Sequence, residues 1–302
     1  MRRTNPFDIQ RKVVSHMTSE SWKNIPHVSY LYEPDITDFY CEYQSLLEVQ
    51  KNGGQKMSLN TMILKTIVEG LKSAPELNSH ITYHHKKGEG FLRVFEEINM
   101  ALPWLLPDGR MITPVILNAD SMTLRELSDA VGELRNKIDH TNIDELLYQA
   151  IKTDTVKELK KFNLRVFRRI AAAKLTLHPV RGLKGKEKSQ YYSHPAQDRL
   201  THHNLTAATV TVSNIGSLYR EQKGYFGILE IIPPQILAIG LGAVQEKPGV
   251  YVGEDGEKKI GIRKVLPMCI AFDHRAVDFS ALVPFLKRLD EIFAFPKVIL
   301  DW

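Results

Sequence analysis

The chain is poor in cysteine, has no long apolar run and shows no internal repeat. Its two cysteines, Cys41 and Cys269, make neither a disulfide framework nor a C-x-x-C metal pair. No stretch of about eighteen apolar residues occurs, which excludes an obvious membrane-spanning helix. The first residues, MRRTNPFDIQ, lack the apolar segment of a secretory signal, so a cytoplasmic protein with reduced thiols is expected. The adjacent pairs His84-His85 and His202-His203 cannot converge on one ion through a regular element, and no metal site is expected. Gly240-Leu241-Gly242 lacks the third glycine and the helix of a dinucleotide fingerprint. The aromatic residues are scattered and form no base-stacking platform, so no nucleic-acid partner is expected. No Ser/Gly-rich linker divides the chain.

What is present is globular. The 302 residues are 43% hydrophobic and 25% charged, enough apolar material to build a core. The net charge of +5 conceals a segregation. Between Thr155 and Gln190 stand eleven basic residues against two acidic ones, so the remainder of the chain is net negative. A whole-molecule charge argument would therefore mislead.

Strands and helices alternate. Val28, Tyr30 and Tyr32 alternate with Ser29, Leu31 and Glu33, the period of a strand. A helix is expected from Thr37 to Gln50, ended by Gly53-Gly54. Ser58 can cap the next, whose Leu59, Met62, Ile63, Ile67 and Leu71 share a face before Pro75 stops it. Strands are expected over Phe91–Leu102 and Met111–Leu117, around the turn Pro107-Asp108-Gly109. Thr123 and Glu126 have capping-box spacing, and Leu124, Leu127, Val131, Leu134 and Ile138 recur at helical steps. Val156–Leu177 reads as a basic helix, followed by a strand-poor stretch to Leu205. Strands over Ala207–Ser213, Ile236–Val244 and Ile260–Phe272 follow. A last helix spans Ser280–Phe293, with Pro284 tolerable only near its first turn. The expectation is one α/β domain over residues 1–302 with a basic insertion over 155–205.

Two strings carry candidate chemistry. In Asp273-His274-Arg275-Ala276-Val277-Asp278 a histidine leaves a buried strand with a carboxylate four residues on. Histidine is the natural general base near neutral pH, although the same spacing suits a surface histidine and a helix-capping aspartate. In Thr211-Val212-Ser213-Asn214-Ile215-Gly216 a hydroxyl stands at a strand end. Such a group can donate to a developing oxyanion, and the plainer alternative is a Ser-Asn turn. Cys269, five residues before His274, lies in an apolar run and reads as a core residue rather than a nucleophile.

Taken together and in order, these strings resemble the catalytic domain of the dihydrolipoamide acyltransferases of 2-oxo acid dehydrogenase complexes, and more distantly chloramphenicol acetyltransferase. His274 to Phe279 is similar to the family's "HxxxDG" box, and Thr211 to Gly216 to its "T-[IV]-[ST]-N-[LI]-G" strand. Ile232-Pro233-Pro234-Gln235 with Ile239-Gly240-Leu241-Gly242 resembles the "NPPQ…AIGxG" region. Ser21 to His27 resembles the "SxxxIPH" entry, Asp108 to Val115 the "xxGLITPV" string, and Phe295 to Leu300 the C-terminal end.

The resemblance implies a chloramphenicol acetyltransferase-like two-layer fold, a mixed β-sheet flanked by helices, assembled as a trimer. It implies acyl transfer between coenzyme A and a thiol such as dihydrolipoamide. His274 would be the base, Ser213 the oxyanion donor, Asp278 a structural carboxylate paired with Arg11, and Asn214 a contact to substrate or coenzyme A. Base and hydroxyl would come from different subunits. A larger core would need a C-terminal anchor, for which Val298, Ile299, Leu300 and Trp302 are candidates.

Three departures bear on these expectations. Phe279 replaces the glycine of the box, whose backbone freedom phenylalanine lacks. No lipoyl or peripheral-subunit-binding domain is expected, so a lipoyl group would come from another chain. The basic insertion could meet the phosphates of coenzyme A or an acidic carrier, or be a solvated charged helix. A non-catalytic trimeric scaffold and a free-standing acetyltransferase acting on a hydroxyl or amine are the rival readings.

Overall fold

The computed structural model describes residues 7, 9–50, 57–149, 182–253 and 255–302; the helix expected over Val156–Leu177 lies outside them. Helix α1 (Ile9–Asn24) leads into strand β1 (His27–Tyr32), where the alternation places it. Helices α2 (Thr37–Gln50) and α3 (Leu59–Ser73) follow. α3 begins where the Ser58 hydroxyl accepts the Thr61 N–H at 3.1 Å, satisfying a donor that no intrahelical carbonyl reaches. Short strands come next: β2 (Ser79–His84), β3 (Glu89–Val94), β4 (Met100–Ala101), β5 (Trp104–Leu105), β6 (Met111–Ile112) and β7 (Val115–Ile116). Helix α4 (Leu124–Asp139) opens with a full capping box. Glu126 N–H donates to Thr123 Oγ1 while Thr123 N–H donates to Glu126 Oε2. Helix α5 (Gly185–Ser193) precedes β8 (Val210–Asn214), β9 (Leu237–Leu241), β10 (Gln245–Val252), β11 (Lys258–Val265), β12 (Met268–Asp273) and helix α6 (Phe279–Ala294).

Among the described residues the central sheet is six-stranded and mixed, in the order β1-β12-β9-β8-β4-β7. β8 runs parallel to β9 and β4, and the other pairings are antiparallel. Its two faces differ in kind. Val210, Val212, Leu237, Ile239, Leu241, Met268, Ile270 and Phe272 enter the main core with residues of α3 and α6. The opposite face carries small side chains, Thr211, Ser213, Ala238, Gly240 and Ala271. Ile25, Leu229 and Ile231 pack on its two alanines. A side chain at Gly240 would come within 2.6 Å of Phe226, so this thin cover needs glycine there. The architecture is thus a sheet with α3 and α6 packed on one face and a thin cover on the other, to which α1 is tied where Ser21 donates to Ile231 O.

Several expected strands are divided. Phe91–Leu102 splits into β3, which pairs only with β2, and β4 in the central sheet. Between them Asn78 Nδ2 donates to the carbonyls of Phe95 and Glu97, holding the chain out of either ladder. Met111–Leu117 splits around Thr113-Pro114 into β6 and β7. Ile260–Phe272 breaks at Leu266-Pro267, so that β11 pairs with β10 in a separate ribbon and β12 with β1 and β9. Pro267 offers no N–H to continue a ladder. Pro284 lies in the second turn of α6 rather than its first. Both it and Ser280, whose carbonyl loses its partner, are exposed, so water can serve the orphaned group. The C-terminal residues mostly pack inward: Ile299 is buried, Val298 and Trp302 rest on the core, and Leu300 is exposed.

Part of the expected insertion is anchored. Leu183 N–H and the Tyr192 hydroxyl both donate to the buried Glu145 carboxylate, and Leu200 N–H donates to Thr141 Oγ1. The Arg199 guanidinium stacks over Tyr191 and Tyr192. No residue of α5 itself is buried.

Candidate active site at the ends of the central sheet

Asp273 ends β12, and the chain turns into α6 within five residues. The turn is closed by the Ala276 N–H donating to Asp273 O and is tied to the chain before β1 by the His274 N–H donating to Pro26 O. Asp273 is fully buried, and Arg275 folds back on it, Nε at 3.0 Å from Oδ1 and Nη2 at 2.6 Å from Oδ2. Arg275 N–H fills another acceptor site at 3.0 Å, and the Tyr83 ring of β2 lies against the guanidinium. A buried carboxylate is tolerable when paired and saturated in this way. The pair clamps the residues on both sides of His274.

The His274 side chain is 50% exposed. Its Nδ1 lies 3.2 Å from Val277 O and 3.3 Å from Asp278 Oδ1. Both are acceptors, so the neutral ring carries its proton on Nδ1 and keeps the lone pair on Nε2. Asp278 sits at the N-cap of α6 with its side chain 79% exposed. Phe279 is the first residue of α6 and has no positive φ. The glycine freedom expected at this position is therefore not used, and the ring packs 5.1 Å from that of Tyr30. His27, opposite Asp273 in register, is occupied otherwise. Its Nε2 accepts the Ile231 N–H and its Nδ1 meets Ile25 O, the contacts of a structural histidine.

Ser213 lies near the end of β8, in register with Gly240 of β9, which in turn faces Cys269 of β12. Burial pushes the Cys269 thiol up to about 11, so it is no nucleophile at neutral pH. Asn214 is engaged within the chain: its Nδ2 donates to Asn60 Oδ1 at 2.6 Å and its Oδ1 accepts Ser217 N–H at 3.1 Å. One amide N–H is left for a ligand. Gly216 follows because a Cβ there would stand 2.5 Å from Gly242 O. Arg11 is exposed on the first turn of α1. The buried ion pair beside the histidine is Arg275–Asp273, which sequence reasoning missed; the only signal was an arginine two residues after an aspartate at a strand end.

The register also separates the two candidate catalytic groups. Ser213 aligns with Gly240, whereas Asp273 N–H bonds to Ile236 O. His274 is therefore two strands across and about five residues along, roughly 15–20 Å from Ser213 in one chain. A cavity of about 260 Å³ adjoins the histidine turn, with Tyr83, His85, Pro233, Gln235 and Arg275 in its wall. Pockets that enclose small-molecule ligands are roughly 300–1,000 Å³, so this recess does not house a coenzyme by itself. Among the described residues, no three His, Cys, Asp or Glu side chains gather into a metal site, and no helix is long and apolar enough to cross a membrane.

Comparison with known proteins agrees with this architecture. The family profile of the 2-oxoacid dehydrogenases acyltransferase (catalytic domain) matches residues 2–151 and 186–300. The dihydrolipoyllysine-residue acetyltransferase component of the pyruvate dehydrogenase complex of Staphylococcus epidermidis is 23% identical over 297 residues, 98% of this chain and 52% of that protein. The Staphylococcus aureus counterpart is 22% identical, covering 98% and 53%. The chain thus spans about half the length of the curated relatives it matches. Among solved structures, the dihydrolipoamide acetyltransferase of Azotobacter vinelandii superposes with a TM-score of 0.65 at 21% identity, over 99% of this chain and 94% of that one. That enzyme was studied for the catalytic roles of a serine, a histidine and an asparagine four residues beyond the histidine. A probable dihydrolipoamide acetyltransferase from Listeria monocytogenes gives 0.61 at 18% identity, over 97% and 94%. With the family profile covering most of its length, the chain belongs to the 2-oxoacid dehydrogenase acyltransferase catalytic-domain family.

Proposed function

We propose that the chain transfers an acyl group between coenzyme A and a thiol acceptor such as dihydrolipoamide, the lipoyl group being supplied from outside residues 1–302. His274 Nε2, left basic by the acceptors at Nδ1, takes the proton of the incoming thiol. The thiolate attacks the thioester carbonyl, and the Ser213 hydroxyl donates to the oxyanion of the tetrahedral intermediate. Collapse expels the second thiolate, which recovers the proton from the imidazolium. Asp278 holds the ring and supports its positive charge. The Azotobacter enzyme has an asparagine at the same four-residue spacing, which supports reading this position as an orienting acceptor rather than a proton carrier.

The observation that carries the proposal is the separation of His274 from Ser213 within one chain. One protomer cannot present both groups to one substrate, so a second copy brings its His274 end to the Ser213 end of the first. Joining opposite ends makes the contact heterologous, and heterologous contacts form a ring where the rotation between copies closes and an open filament where it does not. A homotrimer is the ring proposed, with three shared sites.

The test is transfer from acetyl-CoA to free dihydrolipoamide, followed as thioester formation, beside His274→Ala. Transfer by the native chain and its collapse in the variant support the proposal. Transfer to a hydroxyl or amine acceptor but to no thiol would replace the acceptor class. A trimer that transfers to nothing would leave a scaffold. The unstrained backbone at Phe279 removes the main reason for preferring a scaffold.

A further inference from the structure

The charge segregation of the sequence has a counterpart at one corner of the structure. Lys184, Lys186 and Lys188 are exposed on α5 and just before it, and among the described residues none of the three makes an ion pair. Glu187 is the one acid beside them. The other acids of the corner are already matched. Arg110 bridges Asp108 and Asp144, and the Glu145 carboxylate accepts from Gln149, Leu183 and Tyr192. Most of the basic window falls in residues 152–185, which the family profile does not match, so the family's acyl transfer gives no account of it.

Apolar groups stand beside the lysines. The β5–β6 hairpin exposes Leu105 opposite Met111, 45% and 48% open to solvent. Arg110 ties that hairpin to Asp144, the residue before the Glu145 that anchors Leu183 and Tyr192. The Tyr192 ring is 42% exposed.

We propose that this corner docks on an anionic lipid surface. The lysines meet the headgroup charges, while Leu105 and the Tyr192 ring enter the boundary between headgroups and acyl chains. An acidic protein or a nucleic acid would answer the charge alone, whereas the apolar groups select a lipid. The guanidinium of Arg199, 4.6 and 4.5 Å from the Tyr191 and Tyr192 rings, already takes a face of each from any stacking base. Position allows docking and catalysis together. Leu200 joins the segment to Thr141 at the end of α4, and α4 packs on β7, the edge strand opposite β1. His274 follows β12, beside the other edge.

The test uses the full chain and vesicles of phosphatidylcholine alone, or of phosphatidylcholine and phosphatidylserine in equal parts, with cosedimentation as the readout. The native chain should pellet with the anionic vesicles, stay in solution with the neutral ones, and be released as ionic strength rises. Replacing all three lysines (Lys184→Gln, Lys186→Gln, Lys188→Gln) should weaken partitioning by about 100-fold, about fivefold for each charge. The corresponding triple replacement by arginine should bind like the native chain. Leu105→Gln should weaken partitioning by about fivefold, the worth of a half-exposed leucine. All four positions are open to solvent, so circular dichroism should stay native-like. A native chain that ignores anionic vesicles or pellets equally with both kinds overturns the inference. So does a triple glutamine variant that binds like the native chain. Soluble poly-glutamate or single-stranded DNA that strips the chain from vesicles at equal charge concentration overturns it as well, and assigns the corner to an acidic protein or a nucleic acid.

Discussion

At the residue scale, two acceptors at Nδ1 of His274 leave the lone pair of the neutral ring on Nε2, the nitrogen proposed as the general base. Replacing His274 by alanine should lower kcat by about 10²–10⁴-fold, and Ser213→Ala by about 10²–10³-fold, each with KM little changed. Asp278→Asn keeps an acceptor at Nδ1 and should retain most of kcat in the same assay, whereas Asp278→Ala should not. Arg275→Ala leaves the carboxylate of Asp273 buried without its partner, at a cost of about 3 kcal/mol measured by urea unfolding. His274, Ser213 and Asp278 stand out as candidates in the sequence because their spacing resembles a motif. The Asp273–Arg275 clamp does not, because its depth depends on Tyr83 from β2 and on backbone from Ile236, residues distant in sequence.

At the scale of elements, local signals and tertiary context divide the result. The Thr123–Glu126 box and the Ser58 cap formed as their spacing implied, since each is completed within one turn. Thr123→Ala should lower stability by about 1 kcal/mol, read as a shift in the urea midpoint at constant slope. Strands were harder to read because a continuous apolar run does not say which sheet each half joins. Ile260 to Phe272 reads as one strand, yet its first half serves the ribbon and its second the core. Strand β10 was missed outright, with Pro248 and Gly249 interrupting the pattern.

The attachment of residues 183–192 offers a test by pH. Burial alone would raise the Glu145 carboxyl, but hydrogen bonds from Gln149, Tyr192 and the Leu183 N–H outweigh it and hold the group below its ordinary range. A depressed carboxylate contributes stability above the unfolded value, about 4.3 for glutamate. That contribution is lost as pH falls through the lower folded value. Protection of the Leu183 amide, its exchange rate relative to the intrinsic rate at the same pH, should therefore hold at neutral pH, fall below about pH 4, and be low even at neutral pH in Glu145→Gln.

At the scale of the whole molecule, the sheet packs α3 and α6 on one face and sets the two candidate catalytic groups near opposite ends of its strands. The family and the two-layer architecture were legible from ordered motifs along the chain. The 15–20 Å gap, set by strand spacing and rise, was not, because it depends on the register of three strands. That gap makes complementation the most direct measurement. His274→Ala and Ser213→Ala chains, each nearly inactive, are mixed under conditions that exchange subunits, and thiol transfer is followed over time. A mixed ring contains sites with Ser213 from one copy and His274 from its neighbour, so a substantial fraction of native turnover should return. A mixture that exchanges subunits yet stays as inactive as its components would show that both groups act from the same chain, contradicting a site shared between copies.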